Sequence, residues 1–169
     1  MIEVVVSRLG LDSTTQSHVV ILQEKEGERV LPIWIGQPEF ESIVVQMHNI
    51  KRPRPLTHDL CKSLIVSLGG EVRRIQITRV ESNTYFAELH VARGNEIVQI
   101  DARPSDSIAI ALRTAAPMFA ADDLLSDVQV EESAEPLGNE LKNASELTAE
   151  QLKEYLERLR PEDFGKFNL

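Results

Sequence analysis

Between Val72 and Ile100 the apolar residues fall into three runs: Val72/Ile75/Ile77, then Tyr85/Ala87/Leu89/Val91, then Val98/Ile100. Only two short turn signals, Ser82-Asn83 and Gly94-Asn95, separate them. Connections this short join antiparallel strands, whereas a parallel pair needs a crossover of a dozen residues or more. The segment therefore predicts an antiparallel meander and excludes a βαβ repeat. Arg73, Glu88, His90 and Gln99 alternate with the apolar positions, as in a sheet with one wet face.

A second β region opens the chain. Ile2 to Asp12 is β-rich, and HVVILQ (18–23) and VLPIWI (30–35) flank a Lys25-Glu26-Gly27-Glu28 turn, which reads as a hairpin. Pro32 has no N–H for a ladder, so its strand is expected at an edge or a bulge. Three helices are predicted. One follows Gly36-Gln37-Pro38, with Phe40, Ile43, Val44 and Met47 at helical spacing. The next follows Pro53 and Pro55, with Thr57 as its N-cap, a buried stripe of Leu60, Cys61, Leu64, Ile65 and Leu68, and a stop at Gly69-Gly70. The third opens at Pro104, carries a buried stripe of Ile108, Ala109, Leu112 and Ala115, and ends at Pro117.

The expectation is an α+β domain over residues 1–130, built on an antiparallel or mixed sheet (hairpin plus meander) with about three packed helices. Residues 131–146 read as an acidic linker. Residues 147–169 hold an appended helix with a Thr148/Gln151 capping box and a Leu152/Tyr155/Leu156/Leu159 stripe.

The 169 residues are 42% apolar, enough to bury a core. No run approaches the roughly 18 apolar residues of a membrane span, and the N-terminus lacks a secretory pattern. With a lone cysteine, Cys61, expected to be buried, the chain reads as soluble and cytoplasmic without a disulfide framework. The net charge of −9 is unevenly spread: −4 over residues 1–50, +3 over 51–113 and −8 over 119–169. That total argues against a general nucleic-acid coat but leaves a basic middle.

Three polar clusters sit at predicted helix starts: Gly36-Gln37-Pro38-Glu39, Arg54-Pro55-Leu56-Thr57-His58-Asp59 and Asp101-Ala102-Arg103-Pro104-Ser105-Asp106. Acids in a first helical turn relieve the helix dipole by about 0.3–1 kcal/mol each, and Glu39, Asp59 and Asp106 can be only that. If the three starts converge, they supply the parts of a phosphodiesterase. Glu39, Asp59, Asp101 and Asp106 are hard oxygen donors suited to Mg²⁺ or Mn²⁺, with Asp59, Asp101 and Asp106 the first candidates as ligands. His58 is a general acid or base, and Arg54 or Arg103 would hold a phosphate. Lys51, Arg52, Arg54, Arg73, Arg74 and Arg79 could track a DNA or RNA backbone. Phosphate loops and the Gly-x-Ser-x-Gly elbow are missing from the sequence. His90 reads as a wet-face residue.

LPIWIGQPE (31–39), RPLTHDL (54–60) with LGG (68–70), and DARPSDSIAIALR (101–113) together resemble the bifunctional nuclease domain family, with all three motifs in family order. The resemblance implies an α+β fold, nuclease activity on DNA and RNA, and polar motif residues Glu39, Arg54, Thr57, His58, Asp59, Asp101, Arg103, Ser105 and Asp106. One departure is visible: Phe40 and Ser42 stand where small residues are expected in a Glu-Ala-x-Ala pattern. The rival reading is a non-catalytic binding or regulatory module in which the same residues are caps and ion pairs. A homodimer is also expected, through the small-residue face of 105–116 or the tail helix, which could equally cover its own domain.

Overall fold

The meander and the N-terminal hairpin form one sheet. The computed structural model describes residues 1–12 and 15–127, so the expected linker and tail helix lie outside the described residues. Strands β1 (Ile2–Leu11), β2 (His18–Glu24) and β3 (Val30–Ile35) precede helices α1 (Gln37–Met47) and α2 (Thr57–Ser67). The meander β4 (Gly70–Glu81), β5 (Thr84–Arg93), β6 (Glu96–Ala102) follows, then α3 (Pro104–Thr114) and a short β7 (Met118–Ala120). The order across the seven-stranded sheet is β3-β2-β1-β7-β4-β5-β6. The fold is α+β with a mixed sheet, as expected.

Local chemistry explains the joints. Ser82 and Asn83 both take positive φ, at 48° and 60°, the geometry that lets a two-residue loop follow the twist of its strands. Pro32 lies on β3, an edge of the sheet, where its missing N–H costs no ladder bond. The short β7 gave no sequence signal, yet it joins the two halves. It pairs antiparallel with β1 through Ile2↔Ala120 and parallel with β4 through Ile75↔Met118.

One core cluster unites Phe40, Ile43 and Val44 of α1, Ile108 to Ala111 of α3, and Val20, Leu22, Ile75, Ile77, Leu89 and Val91 of the sheet. Helix α3 is central, packing on α1, α2, β4 and β5. Its small residues permit this: Ser107, Ile108 and Ala109 are fully buried and Ala111 nearly so. The small-residue face expected to make a dimer is therefore used up inside the domain. Ala115, expected in the buried stripe, is instead exposed: it lies past the last helical residue, in the left-handed conformation that ends α3 two residues before Pro117.

Two further burial expectations are corrected. On α2 the Leu60, Leu64 and Leu68 row faces outward, at 54%, 52% and 75% exposed, while Cys61 and Ile65 lean partly buried on the core. Helical periodicity located an apolar face on this helix but not what covers it. His90, expected to be wet, is 2% exposed, with Arg74 3.4 Å from Nδ1 and Glu88 3.3 Å from Nε2. Long neighbours on the same face shield it.

Candidate functional site

Each helix starts after a residue held extended: Gly36, Leu56 and Arg103. An acid stands in each first turn: Glu39, Asp59 and Asp106. At Gly36 a Cβ would collide with the Glu39 carboxylate, so glycine leaves room for that group to fold back over the helix start. On α2 the expected cap is off by one residue. Asp59 accepts the Leu56 N–H at 2.8 Å, which closes the turn from Leu56 and leaves Thr57 as the first helical residue.

The three starts do converge. Arg103 donates from Nη2 to Glu39 Oε1 at 2.7 Å and to Asp106 Oδ1 at 3.1 Å, and from Nε to Asp106 Oδ2 at 2.7 Å. His58 Nε2 lies 3.0 Å from Asp106 Oδ1, and its Nδ1 lies 2.8 Å from Ser42 Oγ of α1. With the imidazole neutral, the Ser42 hydroxyl donates to Nδ1 and Nε2–H donates to Asp106. One chain of hydrogen bonds thus runs from α1 through α2 to α3.

A second link lies deeper. The Arg113 side chain, 2% exposed, donates to Asp59 Oδ1 at 2.6 Å, to the Ala109 carbonyl at 2.9 Å and to the Ser42 carbonyl at 3.1 Å. It ties the last turn of α3 to α1 and to the start of α2.

These contacts fix the charges. Burial pushes the Asp59 carboxyl up, but the Leu56 N–H and the Arg113 guanidinium outweigh it and hold the group below its usual range. Burial likewise pushes Asp106 up, and hydrogen bonds from Arg103 and His58 more than reverse it. Hydrogen bonds to Asp106 and Glu39 raise Arg103 further above its already high value. The cluster therefore holds carboxylates facing guanidinium groups.

Ser42, His58 and Asp106 are the residue types of a hydrolytic triad, but their arrangement differs. Ser42 is 4% exposed in the body of α1, so its oxygen is closed to a substrate and serves to orient His58. Both His58 nitrogens are engaged. The reachable groups are Arg103, with a side chain 66% exposed, and the outer edge of Asp106.

The remaining expected site residues divide. Asp101 is exposed on β6 and joins none of these bonds. Among the described residues no group of three or more His, Cys, Asp or Glu side chains is placed to hold a metal ion. Asp59, Asp101 and Asp106 are not gathered into one donor set in this arrangement: Asp59 is bonded to Arg113, Asp106 to Arg103 and His58, and Asp101 stands apart on β6. Of the cations, Arg73 pairs with Glu71, and Arg79 pairs with Glu81 while stacking 4.0 Å over Phe86. Arg74 lies against His90. Lys51 and Arg54 are exposed in the loop that enters α2, and Arg52 is half-buried there. Two site residues were missed by sequence reasoning. Ser42 stood out only as a departure from a family pattern, and Arg113 only as the last letter of a motif.

The family described as the bifunctional nuclease domain matches residues 20–133. The chain belongs to this family. It is 35% identical to an uncharacterized protein of Mycobacterium tuberculosis over 165 residues, covering 96% of this chain and 97% of that one. It is 30% identical to bifunctional nuclease 1 of Oryza sativa subsp. indica over 114 residues, and 32% identical to bifunctional nuclease 1 of Arabidopsis thaliana over 110. These matches cover 65% and 63% of this chain but only 34% of each plant protein. Among the described residues no helix is long and apolar enough to cross a membrane.

Proposed function

We propose that this protein hydrolyses phosphodiester bonds in DNA and RNA at the Glu39–Arg103–Asp106–His58 cluster. The observation that supports this reading most is the convergence of three helix starts on one exposed guanidinium. Arg103 is the group positioned to receive a phosphate, and a planar fork matches phosphoryl oxygens two at a time. Lys51 and Arg54, exposed beside the start of α2, would carry the flanking phosphates. When Arg103 turns to the substrate, the carboxylates of Glu39 and Asp106 lose their partner and face the same phosphate. One of them then accepts a proton from the attacking water as its oxygen bonds to phosphorus and the P–O bond to the leaving sugar oxygen breaks, that oxygen taking its proton from solvent, with His58 holding Asp106 in place. Guanidinium charge on the phosphoryl oxygens is worth about 10²–10³ in rate for a group of this kind.

The test uses single- and double-stranded DNA and RNA, in Mg²⁺, in Mn²⁺ and in chelator, with wild type, His58→Ala, Arg103→Lys and Asp106→Asn. Cleavage that Asp106→Asn lowers by about 10²-fold or more supports the site. Cleavage that all three substitutions leave unchanged removes the reaction from this cluster.

A second reading, a binding or regulatory module without catalysis, is favoured by a separate observation. Glu39, Asp59 and Asp106 are already paired, and a surface cavity of about 700 Å³ opens elsewhere, between α2 and the end of α3. Nucleic-acid binding without cleavage in any metal condition would decide for it.

A further inference from the structure

We propose that the cavity between α2, the start of β4 and the turn from α3 to β7 is a binding site for a small organic anion, an acid group carried on an apolar body. The inference stands apart from the reaction assigned to the cluster.

The cavity, of about 700 Å³, has the size at which proteins hold small molecules. Its lining is of two kinds. Ile65, Val66, Val72, Ala116 and Pro117 are apolar, whereas Lys62, Arg73 and Arg113 are cations set against a single lining acid, Glu71. A bare ion makes no use of the first set, and an uncharged hydrocarbon none of the second. An acid group on a short apolar body uses both.

Arg113 decides the sign of the charge. A guanidinium carries five N–H donors and no acceptor. Three are bonded here: Nε to Asp59, Nη1 to the Ala109 carbonyl and Nη2 to the Ser42 carbonyl. The other two, one on each terminal nitrogen, have no partner among the described residues. The side chain is 2% exposed, and a buried donor without an acceptor is costly. Because Arg113 lines the cavity, an anion held there supplies the acceptors it lacks.

The other cations are available. Lys62 is exposed on α2, and its ammonium is unbonded among the described residues. Arg73 holds Glu71 at 2.7 Å, but the two side chains are 55% and 68% exposed, and a pair so open to water adds little and gives way to a stronger acceptor. The carbonyls at this end of the helices are, by contrast, already used. Leu64 and Val66 accept from the Leu68 and Gly69 N–H groups, Ala111 from the Ala116 N–H, and Ile110 from the Thr114 hydroxyl. The cavity is short of acceptors and not of donors.

Occupation is felt beyond the cavity. Ser42 and Asp59, which share the Arg113 guanidinium, flank His58: the Ser42 hydroxyl bonds Nδ1, and Asp59 is the next residue of α2. A ligand that draws on the same guanidinium reaches the His58 ring through these two residues.

The test is a nuclear magnetic resonance titration of the full chain with phenyl phosphate, benzoate, inorganic phosphate and benzylamine, for wild type, Lys62→Glu and Arg103→Ala. Lys62 and Arg103 have exposed side chains, so neither substitution should prevent folding, and circular dichroism checks this. Saturable binding of phenyl phosphate or benzoate is expected, with shifts at the amides of Lys62, Thr114 and Ala116 and at the ring nitrogens of His58; the tighter of the two names the acid group. Inorganic phosphate, without the apolar body, and benzylamine, with the opposite charge, should bind about tenfold more weakly or worse. Lys62→Glu should weaken the bound anion by roughly 10-fold or more, and Arg103→Ala should leave it in place. Shifts that vanish in Arg103→Ala and survive Lys62→Glu put the anion at the cluster and overturn the proposal. Benzylamine binding as tightly as the anions also overturns it, and a saturated cavity with His58 unmoved overturns the link through Arg113. No saturable binding of any probe by the full chain overturns the proposal and leaves the cavity to residues 128–169 or to water.

Discussion

Arg113→Met tests whether the three helices are held together by the buried guanidinium. Methionine keeps much of the stem volume and removes the three hydrogen bonds the guanidinium donates to Asp59, Ala109 and Ser42. Asp59 loses a charge-assisted bond of 2.6 Å, and such bonds are worth about 1.5–3 kcal/mol. Removing one partner of a fully buried ion pair costs about 3–5 kcal/mol. Asp59, however, is 35% exposed and keeps the Leu56 N–H, so water recovers part of that loss. The Ala109 and Ser42 carbonyls lose their bonds to the guanidinium as well. A destabilisation of about 2–3 kcal/mol follows, which lowers the Tm of a chain this size by roughly 4–12 °C. The assay is urea and thermal unfolding by circular dichroism near pH 7, run as a double-mutant cycle with Asp59→Asn. The cycle should return an interaction energy of about 1–3 kcal/mol. Arg113→Lys should rescue little, because an ammonium cannot reach three acceptors in three directions. A change below about 0.5 kcal/mol for Arg113→Met, the level of an ordinary surface substitution, would refute the reasoning.

Three further outcomes are expected. Asp59 and Asp106 are both held below their usual range in the folded state, so the stability they contribute is present above the unfolded carboxyl value of 3.8 and is lost as pH falls through the lower folded values. Unfolding titrations should show this acid loss, and Arg113→Met should flatten it; equal slopes in both proteins would contradict the assignment. Ser42→Ala removes the partner of His58 Nδ1 in a closed site, at a cost of about 1–3 kcal/mol, and the ring nitrogen resonances of His58 should shift toward a mixture of tautomers. Unchanged nitrogen spectra would mean that Ser42 does not orient the ring. Gly36→Ala forces the Glu39 carboxylate away from Arg103; with Arg103 largely exposed, unfolding should change by under about 1 kcal/mol while cleavage falls. Full cleavage in Gly36→Ala would show that the Glu39 contact is idle.

The path from sequence to site was uneven for physical reasons. Glu39, Asp59 and Asp106 were legible because first-turn acids follow from the helix dipole, a local effect. The bonds that join them were not. Arg103 reaches Glu39 across 64 residues of sequence, and Arg113 reaches the Ser42 carbonyl across 71. Ser42 and Arg113 carry no local signature, since an isolated serine in a helix or an arginine in its last turn is ordinary. The guanidinium partners of those acids were not legible for the same reason: Arg113 meets Asp59 across 54 residues of sequence.

The sequence alone determined the elements with short-range causes: two-residue turns, helix starts after extended residues, the proline edge, and the order of three family motifs. It also determined that α2 has an apolar row. Only the tertiary structure decided where that row points, because helical spacing reports a face and not its neighbour. It likewise decided that the small residues of α3 are spent inside the domain, that a three-residue strand joins the two halves of the sheet, and that β3 and β6 are its outer strands. Each of these depends on contacts between segments far apart in the chain, where packing and not local propensity sets the outcome.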